Sequence, residues 1–244
     1  MPRSILITSG KGGTGKSTVT HLLGRALADR DQNILLLELD SGLRGLDLML
    51  GVSDRVVFDL SDVLSGACRP AQAIVTAETP RGNLHLLAAP VDRRFLPDPK
   101  ALHALLRLLA TCYDFVLLDT AAGLGPSLDL AASVAEEALL VTTADRVSAR
   151  DVSAAAQLLA CPSRLVINRF LTRDLGGDMP TLDSVIDCAG VQLLSVIPFD
   201  PAVPAANAAG RALPASSRAK GEFDDLARRL LGERVPLNQK RLRG

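Results

Sequence analysis

Gly10-Lys11-Gly12-Gly13-Thr14-Gly15-Lys16-Ser17-Thr18 is the stretch from which the fold of this chain can be read. It follows a short apolar run, Ser4-Ile5-Leu6-Ile7-Thr8, and opens a helix-patterned segment from Val19 to Asp29. Strand, glycine-rich turn and helix in that order make a phosphate-binding loop. The glycines let successive backbone N–H groups converge on one anion, and the helix N-terminus adds the positive end of its dipole. Gly10, Gly12, Gly13, Thr14, Gly15 and Thr18 are expected to cradle phosphate. Lys16 is expected to reach the β- and γ-phosphates, and the Ser17 hydroxyl to ligate Mg²⁺.

Outward from the loop, short apolar runs alternate with longer helical patterns. Strands are expected at 4–8, 33–39, 83–88, 115–118, 138–142, 164–168 and 193–198. Helices are expected at 16–29, 59–64, 99–111, 127–135, 148–159, 181–188 and 221–231. Ile34-Leu35-Leu36-Leu37 and Val116-Leu117-Leu118 are continuous apolar runs without alternation, as in strands covered on both faces. The pattern implies a doubly wound α/β fold, a mostly parallel sheet flanked by helices, with ligand at the carboxyl ends of the strands.

Composition bounds the rest. The 244 residues suffice for one sizeable α/β domain, and 48% apolar content excludes a disordered chain. Lys plus Arg and Asp plus Glu both number 27, so no overall basic field exists to hold nucleic acid non-specifically. No secretory signal pattern precedes the loop, which points to the cytoplasm. Cys68, Cys112, Cys161 and Cys188 are widely spaced and are expected as reduced core residues. His21, His85 and His103 share no metal-ligand spacing, and no Ser-His-Asp pattern is evident.

Three further segments carry chemistry. Tyr113-Asp114-Phe115-Val116-Leu117-Leu118-Asp119 is an apolar strand ending in an acid, suited to hold Mg²⁺ beside the loop. Leu35-Leu36-Leu37-Glu38-Leu39-Asp40 ends in two acids two residues apart, so both carboxylates are expected on one strand face toward the phosphates. Val166-Ile167-Asn168-Arg169 ends a later strand in an amide able to donate to and accept from a purine edge.

Lys11, directly after the first glycine of K-G-G-T-G-K-S-T, makes the loop resemble the deviant Walker A motif of the MinD/ParA ATPases. The resemblance spans roughly residues 3–232. Asp40-Ser41-Gly42-Leu43-Arg44-Gly45-Leu46-Asp47 is similar to switch I of the MinD branch, and Thr120-Ala121-Ala122-Gly123 to switch II, with Ala121 in place of proline. Val147-Ser148-Ala149-Arg150-Asp151 resembles a segment near the family's dimer face. Pro198-Phe199-Asp200 resembles the loop lining its adenine pocket, which with Asn168 makes Asn168, Pro198 and Asp200 the expected base site.

The resemblance implies ATP and Mg²⁺ as cofactors, with slow, partner-stimulated hydrolysis. Lys11 would reach across a homodimer to the partner's nucleotide, Lys16 would hold phosphate, and Asp40 would position the attacking water. Glu38 stands where the family has aspartate. MinC- or MinE-like partners in septum placement are implied. Flagellar-placement and chromosome-partitioning ATPases of the same superfamily, or a scaffold without hydrolysis, remain open alternatives. Residues 1–232 form the expected ATPase domain and 233–244 a short basic tail. Arg234, Lys240, Arg241 and Arg243 outweigh Val235, Leu237 and Leu242 there. A disordered tail with weak peripheral attraction to an anionic membrane follows, rather than an inserted helix.

Overall fold

The computed structural model describes residues 3–171 and 182–242. One eight-stranded sheet organises them, in the order β3-β4-β2-β5-β1-β6-β7-β8. Its strands are β1 (Arg3–Thr8), β2 (Ile34–Glu38), β3 (Val75–Thr76), β4 (Leu84–Leu87), β5 (Phe115–Asp119), β6 (Glu137–Thr142), β7 (Ser163–Phe170) and β8 (Leu193–Pro198). All neighbours pair in parallel except the two-residue edge strand β3, which runs antiparallel to β4. The strands buried on both faces are the ones that lacked alternation: every residue of β2 and β5 is buried.

Helices cover both faces. The long ones are α1 (Lys16–Ala28), α5 (Pro99–Leu109), α6 (Pro126–Val134), α7 (Arg146–Leu158), α8 (Leu182–Ala189), α9 (Ala202–Ala209) and α10 (Arg218–Leu230). Between them lie the short α2 (Leu46–Leu50), α3 (Leu60–Leu64) and α4 (Pro70–Ala73), and α11 (Gln239–Leu242) follows α10. One face packs α1, α9 and α10 over Ile5, Ile7, Leu36, Leu117 and Val141. The other packs α5 and α6 over Leu6, Leu35 and Leu118, and α7 and α8 over Leu140 and Ile167. Adjacent residues of one strand thus serve opposite layers.

The expected strands all appear, within a residue or two at their ends. β3, α2, α4, α9 and α11 were not expected, because elements of two to five residues carry no readable period and the alanine-rich α9 has little apolar contrast. α10 starts three residues early because the Ser217 side chain accepts from Lys220 N–H and caps it. Thr181, the expected first residue of α8, lies outside the described residues.

Two expectations are corrected. The cysteines are not core residues: Cys112 and Cys188 are exposed, Cys68 and Cys161 half-buried. Nor is the tail disordered as far as it is described. Arg229 donates to the carbonyls of Val235 and Pro236, and Arg241 pairs with Asp225 and donates to the Gly221 carbonyl. The basic residues counted as free charge are thus partly spent on α10; Arg243 lies outside the described residues. Among the described residues, no helix is long and apolar enough to cross a membrane.

Leu117 sits in the centre of the sheet with no solvent exposure. Leu117→Ala should lower the unfolding free energy by about 2–5 kcal/mol, read as a reduced urea midpoint at unchanged slope.

Candidate functional site

Strand register assembles the site. Ile7 of β1 is level with Asp119 of β5, and Asp119 is level with Glu38 of β2. Three adjacent strands therefore deliver the phosphate loop and two acids to one edge of the sheet. The loop residues between β1 and α1 wrap the start of α1, whose first turn has no side-chain cap, leaving its N–H groups for an anion. Gly15 has φ of 90°, and a Cβ there would run into the Asn168 amide nitrogen, so only glycine fits.

Within this frame Lys16 and Asp119 are both buried, with Nζ 3.6 Å from Oδ1. Thr20 Oγ1 donates to the same Oδ1 at 2.9 Å. Asp119 Oδ2 is buried with no hydrogen-bond partner, as is Thr14 Oγ1. Burial pushes the Asp119 carboxyl up, while Lys16 and the hydroxyls of Ser17 and Thr20 pull it down. An unsatisfied acidic oxygen beside a serine hydroxyl has the donor chemistry of a Mg²⁺ site.

Asp40, just beyond β2, is half-buried; burial raises its pKa, Lys16 lowers it and Asp119 raises it further. Glu38 differs from the expectation that it would face the phosphates. Its Oε1 accepts from Gly45 and Leu46 N–H at 2.8 and 3.1 Å, and its Oε2 accepts from Ala89 N–H at 3.3 Å. The additional methylene carries this carboxyl into a buried backbone cradle that anchors the start of α2 to the end of β4. Burial lifts its pKa to about 7 against those N–H donors, with the Asp119 charge adding to the rise.

Lys11 lies at the rim, its Nζ 3.5 Å from Asp145 Oδ1, both side chains partly exposed. Asp145 caps α7 through Ser148 N–H. Burial would raise the Asp145 pKa, but the Ser148 and Thr143 hydroxyls, that N–H and Lys11 bring it to about 2. Gly10, on the same rim, packs so closely on Asp151 that a Cβ would clash.

A cavity of about 400 Å³ opens beside the loop, with Gly13, Gly15, Thr18, Asn168, Pro198 and Asp200 in its wall. The expected base residues are therefore gathered, but their polar groups are partly committed. Asn168 Nδ2 donates to Thr14 O at 2.8 Å. Asp200 accepts from Ala202 N–H, Ser217 Oγ and Ala219 N–H, so it holds α9 and α10 in place and shapes the wall.

Sequence reading missed five contributors. Arg169, at φ 58°, donates from Nη1 to Gly13 O and lines the cavity. Asn207, the lone polar side chain of α9, donates from Nδ2 to Thr18 Oγ1 at 3.1 Å. His21 pairs its Nδ1 with Asn207 Oδ1, while Arg25 Nε donates to its Nε2. That arrangement places the proton on Nδ1, and burial, followed by the Arg25 charge, drives the His21 pKa down to about 4. A histidine four residues before an arginine in one helix was the available signal; Asp145 was readable as a helix cap three residues before Ser148.

A glycine-rich phosphate loop, an acid at the end of the neighbouring strand and a base-sized cavity define a P-loop nucleotide-binding domain. Residues 5–213 match the CobQ/CobB/MinD/ParA nucleotide binding domain family, and the chain belongs to that family. Within it the similarity is to MinD. The septum site-determining protein MinD of Bacillus subtilis is 34% identical over 246 residues, covering 97% of this chain and 92% of that protein. MinD in the MinC:MinD cell division protein complex of Aquifex aeolicus superposes with a TM-score of 0.88 at 32% identity, covering 97% and 98% of the two chains. MinD from Pyrococcus horikoshii, complexed with Mg-ADP, superposes with a TM-score of 0.81 at 32% identity, covering 94% and 96%.

The Glu38 cradle has a pH signature. A carboxyl whose pKa rises from 4.5 to about 7 on folding stays protonated in the fold while the unfolded chain ionises, so stability falls as pH rises through that window. Urea unfolding of the nucleotide-free protein should show wild type losing on the order of 3 kcal/mol relative to Glu38→Gln between those pH limits. Parallel pH profiles for the two proteins would remove this account of the cradle.

Proposed function

We propose that this chain is a MinD-like ATPase of division-site placement, working as an ATP-dependent dimerisation switch. The observation that carries the reading is the different setting of two lysines in one loop. Lys16 is buried against Asp119, whereas Lys11 stands at the rim on an acid it shares with water. Exposed ion pairs contribute at most about 1 kcal/mol, so Lys11 is readily exchanged onto a phosphate outside its own subunit. Leu43, Leu124 and Val147 are exposed apolar side chains in segments around the carboxyl edge of the sheet. They suit coverage by a second copy of this chain.

In this reading the adenine of ATP occupies the cavity between Asn168 and Arg169 near the end of β7, Pro198 and α9, with the triphosphate across residues 10–18. Ser17 and Asp119 hold Mg²⁺, which when bound supplies positive charge to the β- and γ-phosphates. Lys16 neutralises phosphate charge within the subunit and Lys11 does so across the dimer. Asp40 accepts a hydrogen bond from the attacking water and orients it. No glutamate follows Asp119 before Gly125 to serve as an additional base, so turnover is slow until a partner completes the site.

MinC- or MinE-like proteins are the partners this reading assigns, since the Aquifex aeolicus relative forms a complex with MinC. The cargo role is septum placement, in the cytoplasm with weak peripheral contact at the inner face of the membrane. With Arg241 engaged on α10, only part of the tail's charge is available for that contact. Residues 1–232 act as the ATPase domain and 233–244 as its accessory tail.

Two variants separate the lysines. Lys16→Ala should lose measurable ATP binding in a nucleotide titration. Lys11→Ala should keep appreciable binding yet fail to dimerise with ATP and hydrolyse poorly, read by sedimentation and phosphate release. A normal ATP-dependent dimer in Lys11→Ala would sink the switch mechanism.

Asp40→Ala should bind ATP, hydrolyse it at least about tenfold more slowly and accumulate as dimer. Undiminished phosphate release would assign the water to another group.

A further inference from the structure

Away from the nucleotide site, α5 presents Lys100, His103 and Arg107 on one exposed face, opposite the buried face formed by Leu102, Leu105, Leu106 and Leu109. These three side chains make no hydrogen bond or ion pair among the described residues. The acids nearest in sequence are engaged elsewhere: Asp92 accepts from Arg94 N–H, Asp98 from Ala101 N–H at the start of α5, and Asp114 from Asn33 N–H. In a chain with equal numbers of Lys plus Arg and Asp plus Glu, the unpaired Lys100 and Arg107 on two turns of helix form a local positive field, with the His103 imidazole between them as a further hydrogen-bonding group.

They also line a groove. Lys100, His103, Ala104 and Arg107 form one wall and Ser133 and Val134 of α6 the other, around an open volume of about 590 Å³. That space takes several side chains rather than one small ion. At 1.5 Å per residue Lys100, His103 and Arg107 are spaced about 4.5 and 6 Å apart along the axis, about 10.5 Å in all. A second helix with carboxylates at i, i+3 or i+4, and i+7 presents the same repeat.

We propose that the α5–α6 groove docks an acidic helix of a partner protein, its carboxylates on Lys100, His103 and Arg107 and a small apolar residue against Ala104 and Val134. The lining residues favour this occupant over the alternatives. There is no aromatic platform on which bases could stack. The apolar lining is too slight to insert into a bilayer. Charge complementarity along a helix supplies register and orientation. The position adds a consequence: α6 begins at Pro126, shortly after Asp119 in the chain. A partner held there touches the helix that continues directly from the expected switch II segment, distinct from the rim where Lys11 lies.

The test uses the full chain and a labelled alanine-based helical peptide of about 20 residues carrying glutamates at i, i+4 and i+7. A peptide of identical composition with its glutamates spread around the helix is the control. Fluorescence anisotropy should show binding with Kd on the order of 100 μM, and at least about tenfold weaker binding of the control. Lys100→Glu/Arg107→Glu should abolish the difference while leaving ATP binding and melting temperature unchanged. Lys100→Gln/Arg107→Gln provides the same readout should the reversal variant fail to fold. Equal binding of both peptides, no binding of either, or binding that survives in the variants would overturn the proposal. Phosphatidylglycerol vesicles are titrated in parallel. Vesicle binding lost in the variants, without peptide binding, would assign the groove to a lipid surface instead.

Discussion

Lys16 and Asp119 are both withdrawn from water and stand 3.6 Å apart, and the rest of the site is arranged around that pair. Two opposite charges in a low-dielectric interior hold one another, but each has lost its hydration, and removing either partner leaves an uncompensated buried charge. Thr20 supplies one hydrogen bond to the aspartate, while its second oxygen is left buried and without a partner. An arrangement of this kind is costly for folding alone. A ligand that supplied the missing interactions and bound only the native state would offset that cost by mass action.

Around this pair, the walls of the site are held from behind. Asn168 fastens the end of β7 to the phosphate loop, and Asn207 fastens α9 to Thr18 of α1. His21 and Arg25 extend that second tie one turn further down α1, and Arg25 reaches the carbonyl of Glu78 beyond it. The chain of bonds fixes the rotamers facing the cavity without placing further charge in it, because His21 remains neutral at any ordinary pH. Glu38 does comparable work at the opposite side, where its carboxyl replaces backbone partners for the N–H groups at the start of α2. Asp40, two residues on, stays half-buried near Lys16 and Asp119.

The charged residues divide by burial. Lys16, Asp119, Glu38 and Glu222 are in the interior: Lys16 and Asp119 hold one another, backbone N–H groups hold Glu38, and Ser195 and Arg229 hold Glu222. Lys11 and Asp145 sit where water screens them, and their pairing is accordingly exchangeable. The tail follows the same logic. Its arginine Arg241 is drawn to Asp225 and to the buried Glu222, which already binds Arg229, so a segment whose composition suggested a free basic tail becomes part of the α10 surface.

Much of this protein can be read from local pattern. Continuous apolar runs predict the parallel sheet because strands covered on both faces have no polar side to display, and the glycine–lysine spacing of residues 10–18 is recognisable as a backbone motif within one short segment. The roles proposed for Lys16, Ser17 and Asp119 are drawn from the same local chemistry. Long-range packing settled what those patterns left open. Whether Glu38 lies beside Asp40 or in a backbone cradle depends on the position of α2 and Ala89, separated from β2 by loops. The contributions of Asn207, His21 and Arg169 depend on elements far apart in sequence meeting at one cavity. The fate of the tail rests on a buried glutamate in α10 that composition does not distinguish from a solvated one, because burial, which decides how strongly a charge seeks a partner, is a property of the assembled fold.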